Sequence, residues 1–110
     1  MARFMTIGER IHVISPTIRK AFKERDPQPI LTRGREQVEA GATYLDVNIG
    51  PADRDGEELM AWAVKILQEE FPQTPLCLDT ANAKAIEAGL KVYDYSAGKP
   101  IVNSADAGSR

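Results

Sequence analysis

A chain of 110 residues has room for one domain at most. Its 43% hydrophobic and 27% charged residues are the proportions of a globular fold, which excludes a disordered, fibrous or disulfide-framed chain. A formal net charge of -2, mixed in sign along the sequence, provides no basic stripe to neutralise phosphates, so nucleic acid is not an expected partner.

The first strand is expected over Phe4 to Arg10, a short β-type run. A helix follows from about Thr17. Arg19, Lys20, Lys23 and Arg25 form the densest basic group, but Glu24 and Asp26 interrupt it, which reads as a solvated helix face. Asp26-Pro27 punctuates this helix: aspartate caps helix N-termini and proline suits the first helical position. The restarted helix places Ile30, Gly34, Val38 and Ala42 near one face, and Gly41 is its expected stop.

The second strand is Tyr44-Leu45-Asp46-Val47-Asn48, left through the turn Ile49-Gly50-Pro51-Ala52-Asp53-Arg54. Asp55 with Glu58 three residues on resembles a capping box, and Leu59, Ala63, Ile66 and Leu67 form the apolar stripe of the next helix. Trp62 is expected to pack at the border of that stripe. Pro75 opens the third strand, Leu76-Cys77-Leu78-Asp79-Thr80. A helix from about Asn82 to Leu90 follows, and then a fourth strand, Pro100-Ile101-Val102-Asn103-Ser104.

Strands that alternate with helices imply right-handed parallel βαβ units, in either an open doubly wound sheet or a closed barrel. The last three strands end in polar side chains: Asp46 and Asn48, Asp79, and Asn103. Residues two apart on a strand share a face, and in a barrel the C-terminal end of that face is the mouth where ligands bind. No Gly-x-Gly-x-x-Gly run follows the first strand, which counts against a dinucleotide-binding sheet. The fold class expected is therefore α/β, as about four βα units forming the N-terminal portion of a (β/α)₈ barrel.

Four patches carry the chemistry: Ile7-Gly8-Glu9-Arg10-Ile11, Asp46-Val47-Asn48-Ile49-Gly50-Pro51, Leu76-Cys77-Leu78-Asp79-Thr80 and Ile101-Val102-Asn103-Ser104. Two roles suit Asp79: a carboxylate for a ligand, or the cap of the following helix, shared with Thr80 or Asn82. Asp46 suits a ligand contact or a structural acid inside a barrel, and Asn103 a ligand contact or a turn. Cys77, the only cysteine, permits no internal disulfide and reads as a buried, inert thiol in a reducing compartment.

As an ordered set, these patches resemble the methyltetrahydrofolate:corrinoid methyltransferases, whose members include the folate domain of cobalamin-dependent methionine synthase. Gln68-Glu69-Glu70 and Ala85-Ile86-Glu87-Ala88-Gly89-Leu90 extend the likeness to nearly the whole chain. The resemblance implies a barrel that holds a pterin at its mouth. It assigns Asp79 to the aminopyrimidine edge, Asn103 to another edge of the ring, and the Asp46-x-Asn48 pair to the same mouth. A carboxylate accepts two adjacent N–H donors at once, and an amide both donates and accepts, which suits those edges. The resemblance further implies methyltetrahydrofolate as substrate, cobalamin or another corrinoid carried by a partner protein, and methyl transfer from N5 of the folate to the corrinoid. His12, the only histidine, stands where the family usually has asparagine; a lone histidine does not make a zinc site. No catalytic residue is assigned.

Two other readings stand beside this one. Dihydropteroate synthase shares the pterin-binding aspartate and asparagine but expects a Ser-Thr-Arg-Pro-Gly type loop after the second strand, where this chain has Ile49-Gly50-Pro51-Ala52-Asp53-Arg54. The third is a non-catalytic remnant that binds pterin weakly or assembles with a second chain. A full barrel needs roughly 250 residues, so a partial pterin-binding domain over residues 1–110 is expected. Such a piece is expected to leave two open sheet edges and an uncovered apolar inner face, and so to be poorly stable or to form a homodimer. Without an apolar run of roughly 20 residues or a signal-like N-terminus, a cytoplasmic protein without membrane contact is expected.

Overall fold

The computed structural model describes residues 11–12, 16–49, 55–80 and 82–103. Along them run β1 (Ile11–His12), α1 (Pro16–Glu24), α2 (Pro27–Glu39), β2 (Leu45–Asn48), α3 (Gly56–Glu70), β3 (Leu76–Asp79), α4 (Ala83–Val92), a 3₁₀ turn (Tyr95–Ala97) and β4 (Ile101–Asn103). The strand expected over 4–10, the turn over 50–54 and Ser104 lie outside the described residues. No described helix is long and apolar enough to cross a membrane.

The four strands form one parallel sheet in the order β1-β2-β3-β4. The order never reverses among them, whereas a doubly wound sheet reverses at its ligand crevice. Alternation along the strands separates two faces. Leu45, Val47, Leu76 and Leu78 are fully buried in a cluster with Ile18, Ile30, Met60, Val64, Leu67 and Ala85 from the helices. Asp46, Asn48, Cys77 and Asp79 are the alternate residues and stand on the other face.

The helices start and stop where local chemistry directs. The Asp26 carboxylate accepts the Gln28 N–H at 3.1 Å, and Pro27 follows as the first helical residue of α2. The ends of α1 and α2 share one device. At the end of α1 the Arg25 N–H reaches Phe22 O and the Asp26 N–H reaches Ala21 O; at the end of α2 Gly41 reaches Val38 O and Ala42 reaches Gln37 O. This motif needs a left-handed residue just past the helix, supplied by Gly41 (φ 94°) and by Arg25 (φ 55°). Arginine rarely adopts that conformation, but here its guanidinium donates to Phe22 O at 2.7 Å and to Glu58 Oε1 at 3.1 Å, tying the α1–α2 corner to α3. Ala42, expected on the helix face, lies beyond the end of α2.

That contact explains a correction. Asp55 does sit at the N-cap of α3, but its side chain makes no capping bond, and Glu58 turns to Arg25 rather than back to the cap. The expected capping box is not formed. We therefore expect Asp26→Ala to lower stability by about 1 kcal/mol and Asp55→Ala by only a few tenths, read from urea unfolding midpoints. Equal losses would contradict the assigned caps.

Packing between helices and sheet is close. A Cβ on Gly89 would lie 2.8 Å from Met60 Cγ and 3.1 Å from Leu78 Cδ1, so glycine lets α4 settle against α3 and β3. Trp62 stands at the edge of the core, as expected, with its ring 5.9 Å from that of Phe22 in an edge-to-face contact. Arg35 of α2 pairs with Glu70 of α3 across the outer surface.

The link from α4 to β4 is held by polar contacts that the sequence pattern does not announce. Gln68 donates to Asp94 O at 3.0 Å and accepts the Asp94 N–H at 2.7 Å, while the Tyr93 hydroxyl donates to Gly98 O at 2.8 Å. Burial pushes the Tyr93 hydroxyl above its ordinary range. Asp94 caps the 3₁₀ turn by accepting the Ser96 N–H at 2.9 Å; that bond, and then the Ser96 side chain, hold its carboxyl below the usual range. A lowered carboxyl stabilises the fold above the ordinary carboxylate range, and that contribution is lost as the pH falls through the lowered value. Exchange of the Ser96 amide hydrogen, corrected for its intrinsic pH dependence, should accelerate on acidification through that window. Asp94→Ala should remove the step.

Candidate functional site

The C-terminal ends of the strands bring the predicted polar residues together. Asn48 is the register partner of Asp79, and Asp79 is the register partner of Asn103. Register partners in a parallel sheet share a face and stand about 4.8 Å apart, one strand spacing. Asn48, Asp79 and Asn103 therefore form a lateral row with the carboxylate in the middle. Asn48 and Asp79 are half-buried. Asp46 lies one row deeper on the same face, beside its partner Cys77, which in turn pairs with Ile101. Asp46 is 4% exposed and Cys77 5%.

This face corrects one expectation. Its described positions are Asp46, Asn48, Cys77, Asp79, Ile101 and Asn103, which is not an apolar surface. Cys77 is buried yet lies outside the helix-packed cluster, as its place on the polar face requires. Among the described side chains of the sheet, the exposed large apolar one is instead Val102, 44% exposed, at the position paired with Leu78 on the helix-covered face.

The following loop supplies the cap of the next helix from Asn82. Asn82 is the N-cap of α4: its Oδ1 accepts the Lys84 N–H at 3.0 Å and the Ala85 N–H at 3.1 Å. Thr80, itself buried, holds that cap by accepting the Asn82 N–H on Oγ1 at 3.1 Å. The start of α4 is thus served without Asp79. Its carboxylate sits at the end of β3, between two amide-bearing residues.

By residue type the row sets an acceptor-only carboxylate, Asp79, between register partners, Asn48 and Asn103, of a type that both donates and accepts. It fits a flat heterocycle whose edge presents adjacent N–H donors, and the rigid strand ends fix its spacing. Among the described residues no group of three or more His, Cys, Asp or Glu is placed to hold a metal ion. The structure carries the first strand past its expected end. β1 reaches His12, whose backbone position is the register partner of Asn48. Ending the first strand at Arg10 puts His12 in a loop; its pairing becomes visible only once β2 is alongside.

The sequence profile of the family described as pterin binding enzyme matches residues 15–110. The chain is 39% identical over 98 residues to a methylcorrinoid:tetrahydrofolate methyltransferase of Eubacterium limosum, an alignment that covers 89% of this chain and 35% of the relative. The chain thus spans about a third of the length of that curated relative. With a match over most of its length and polar strand ends aligned in one row, the chain belongs to the family of pterin-binding enzymes.

Proposed function

We propose that this chain forms the first four strands of a (β/α)₈ barrel and binds a reduced folate at the C-terminal mouth, for methyl transfer between N5 of the pterin and a corrinoid. The observation that carries this reading is the row Asn48, Asp79, Asn103. Asp79 accepts the two N–H donors of the aminopyrimidine edge, and Asn48 and Asn103 bind the ring on either side. Asp46, one row deeper, supports the floor of the site. The unreversed strand order and a helix-covered outer face support the barrel. Four strands are half of that wall; the other half is supplied by further polypeptide, in the same chain or in a partner.

The corrinoid, carried by a separate protein, supplies the cobalt that exchanges the methyl group. This chain's residues bind and orient the pterin so that N5 faces the mouth. The relative's name gives the direction as methylcorrinoid to tetrahydrofolate. One site serves both directions, because forward and reverse transfer share a transition state, so methyltetrahydrofolate and tetrahydrofolate are both ligands.

Calorimetric titration of the protein with methyltetrahydrofolate tests this reading. Saturable binding with one ligand per site is expected, with tetrahydrofolate as a competitor. Dihydropteroate synthase chemistry predicts the opposite preference: a dihydropterin pyrophosphate would bind, and methyltetrahydrofolate would not displace it.

A further inference from the structure

We propose that the outer face of α1 binds the carboxylate tail of the folate, so that the site prefers a substrate carrying several γ-linked glutamyl residues. This rests on the pterin reading above and deepens it. In a parallel sheet, the helix that follows a strand starts at the C-terminal edge, where the chain leaves that strand. α1 starts at Pro16, four residues past His12 at the end of β1, so its start lies within roughly 14 Å of that edge. Its far end is held at the same edge. Arg25 donates to Glu58 Oε1 at 3.1 Å, and Glu58 is in the first turn of α3, the helix that follows β2. α2, which leads to the start of β2, begins at Pro27, straight after that corner. Both ends of α1 therefore stand at the rim of the candidate site, and α2 is the helix that runs the depth of the sheet.

α1 buries Ile18, Ala21 and Phe22, and the Phe22 ring meets Trp62 of α3 edge to face. That seating leaves Arg19, Lys20 and Lys23 exposed. With Pro16 and Glu24 they line a surface cleft of about 560 Å³. Lys20 and Lys23 are three residues apart and Arg19 and Lys23 four, spacings that bring like charges together on a helix. Glu24, four residues from Lys20, offsets one of the three cations. An anion in the cleft relieves the repulsion among them. The cleft has the size of a small-molecule site, which favours a ligand tail over the flat docking surface of a protein. A folate supplies such a tail: an aminobenzoyl group and then a glutamate with two carboxylates, each further γ-linked residue adding one more. With the ring held at Asp79 on β3, the end of β1 is two strand spacings away, roughly 10 Å, a span that the aminobenzoyl group and the glutamyl chain can cross. Exposed ion pairs are individually weak and screened by salt. The two carboxylates that a triglutamate adds therefore correspond to affinity about fivefold tighter than for the monoglutamate at about 20 mM salt, a preference that fades at about 0.5 M.

The test is calorimetric titration at low salt with methyltetrahydrofolate in its monoglutamate and triglutamate forms. It compares the wild type, a variant combining Arg19→Gln, Lys20→Gln and Lys23→Gln, and a control combining Lys65→Gln, Lys91→Gln and Lys99→Gln, with folding checked by circular dichroism. The control removes as many exposed charges, with Lys91 in the last turn of α4 and Lys99 just before β4, at the opposite edge of the sheet. Expected is a wild type and a control that bind the triglutamate more tightly, and an α1 variant that keeps its affinity for the monoglutamate but loses that preference. If the wild type binds both forms equally, the proposal is overturned and the pterin reading stands. If the preference survives in the α1 variant, or is lost equally in the control, the α1 face is a solvated surface or a seat for an acidic partner protein, and the proposal is again overturned. If the wild type binds neither form, both are overturned.

Discussion

Leu78→Ala is expected to lower the stability of the fold by about 3 kcal/mol, within the range of roughly 2–5 kcal/mol for deleting a buried leucine side chain. Leu78 is fully buried, is paired with Val47 on β2, and lies within 3.1 Å of where a Cβ on Gly89 would stand. It thus links the sheet to α4 at the residue before Asp79. Its neighbours limit how far the cavity can close: Gly89 has no side chain to move in, and Met60 and Val64 are already fully buried. Urea unfolding should show a lower midpoint with little change in slope. A loss under 1 kcal/mol would mean that α4 is not seated on β3 as described.

The second large effect concerns binding. Asp79→Ala is expected to weaken methyltetrahydrofolate binding by a factor of about 100 or more. Two hydrogen bonds to a charged group contribute roughly 1.5–3 kcal/mol each, and about 1.4 kcal/mol is tenfold in affinity. Stability should barely change, because Asn82 and Thr80 already serve the start of α4. That split between affinity and stability separates a ligand carboxylate from a structural one. Asp79→Asn should also fail to bind well, since its amide nitrogen would oppose the N–H donors that the carboxylate accepts. A stability loss of 1 kcal/mol or more with unchanged affinity would return Asp79 to a capping or framework role.

Much of the architecture is legible in the residues. Leu76-Cys77-Leu78-Asp79 and Leu45-Asp46-Val47-Asn48 read as strands because short apolar-rich runs are bounded by turn residues, and both are found within a residue of their expected ends. Asp26-Pro27 marks a helix start because both residues act locally: one accepts an N–H and the other fixes φ. Long-range partners are not legible in that way. The Glu58 spacing suits a capping box, but a guanidinium 33 residues away competes for the same carboxylate and wins. Gln68 belongs to a polar run, Gln68-Glu69-Glu70, that resembles an exposed helix end. Its buried bonds to Asp94 exist only because α3 and the turn before β4 come together. The candidate site divides in the same way. Its residue types stand out singly at strand ends, whereas their alignment in one row depends on the register between strands.

The most direct test of the central claim, that this row of strand ends is the pterin site, is a nuclear magnetic resonance titration of nitrogen-15-labelled protein with methyltetrahydrofolate. The predicted result is saturable shifts of the Asn48, Asp79 and Asn103 amides, with those of Lys65 and Glu87 on the outer helix surfaces unmoved. Shifts centred on the helices, with the strand ends unchanged, would contradict it.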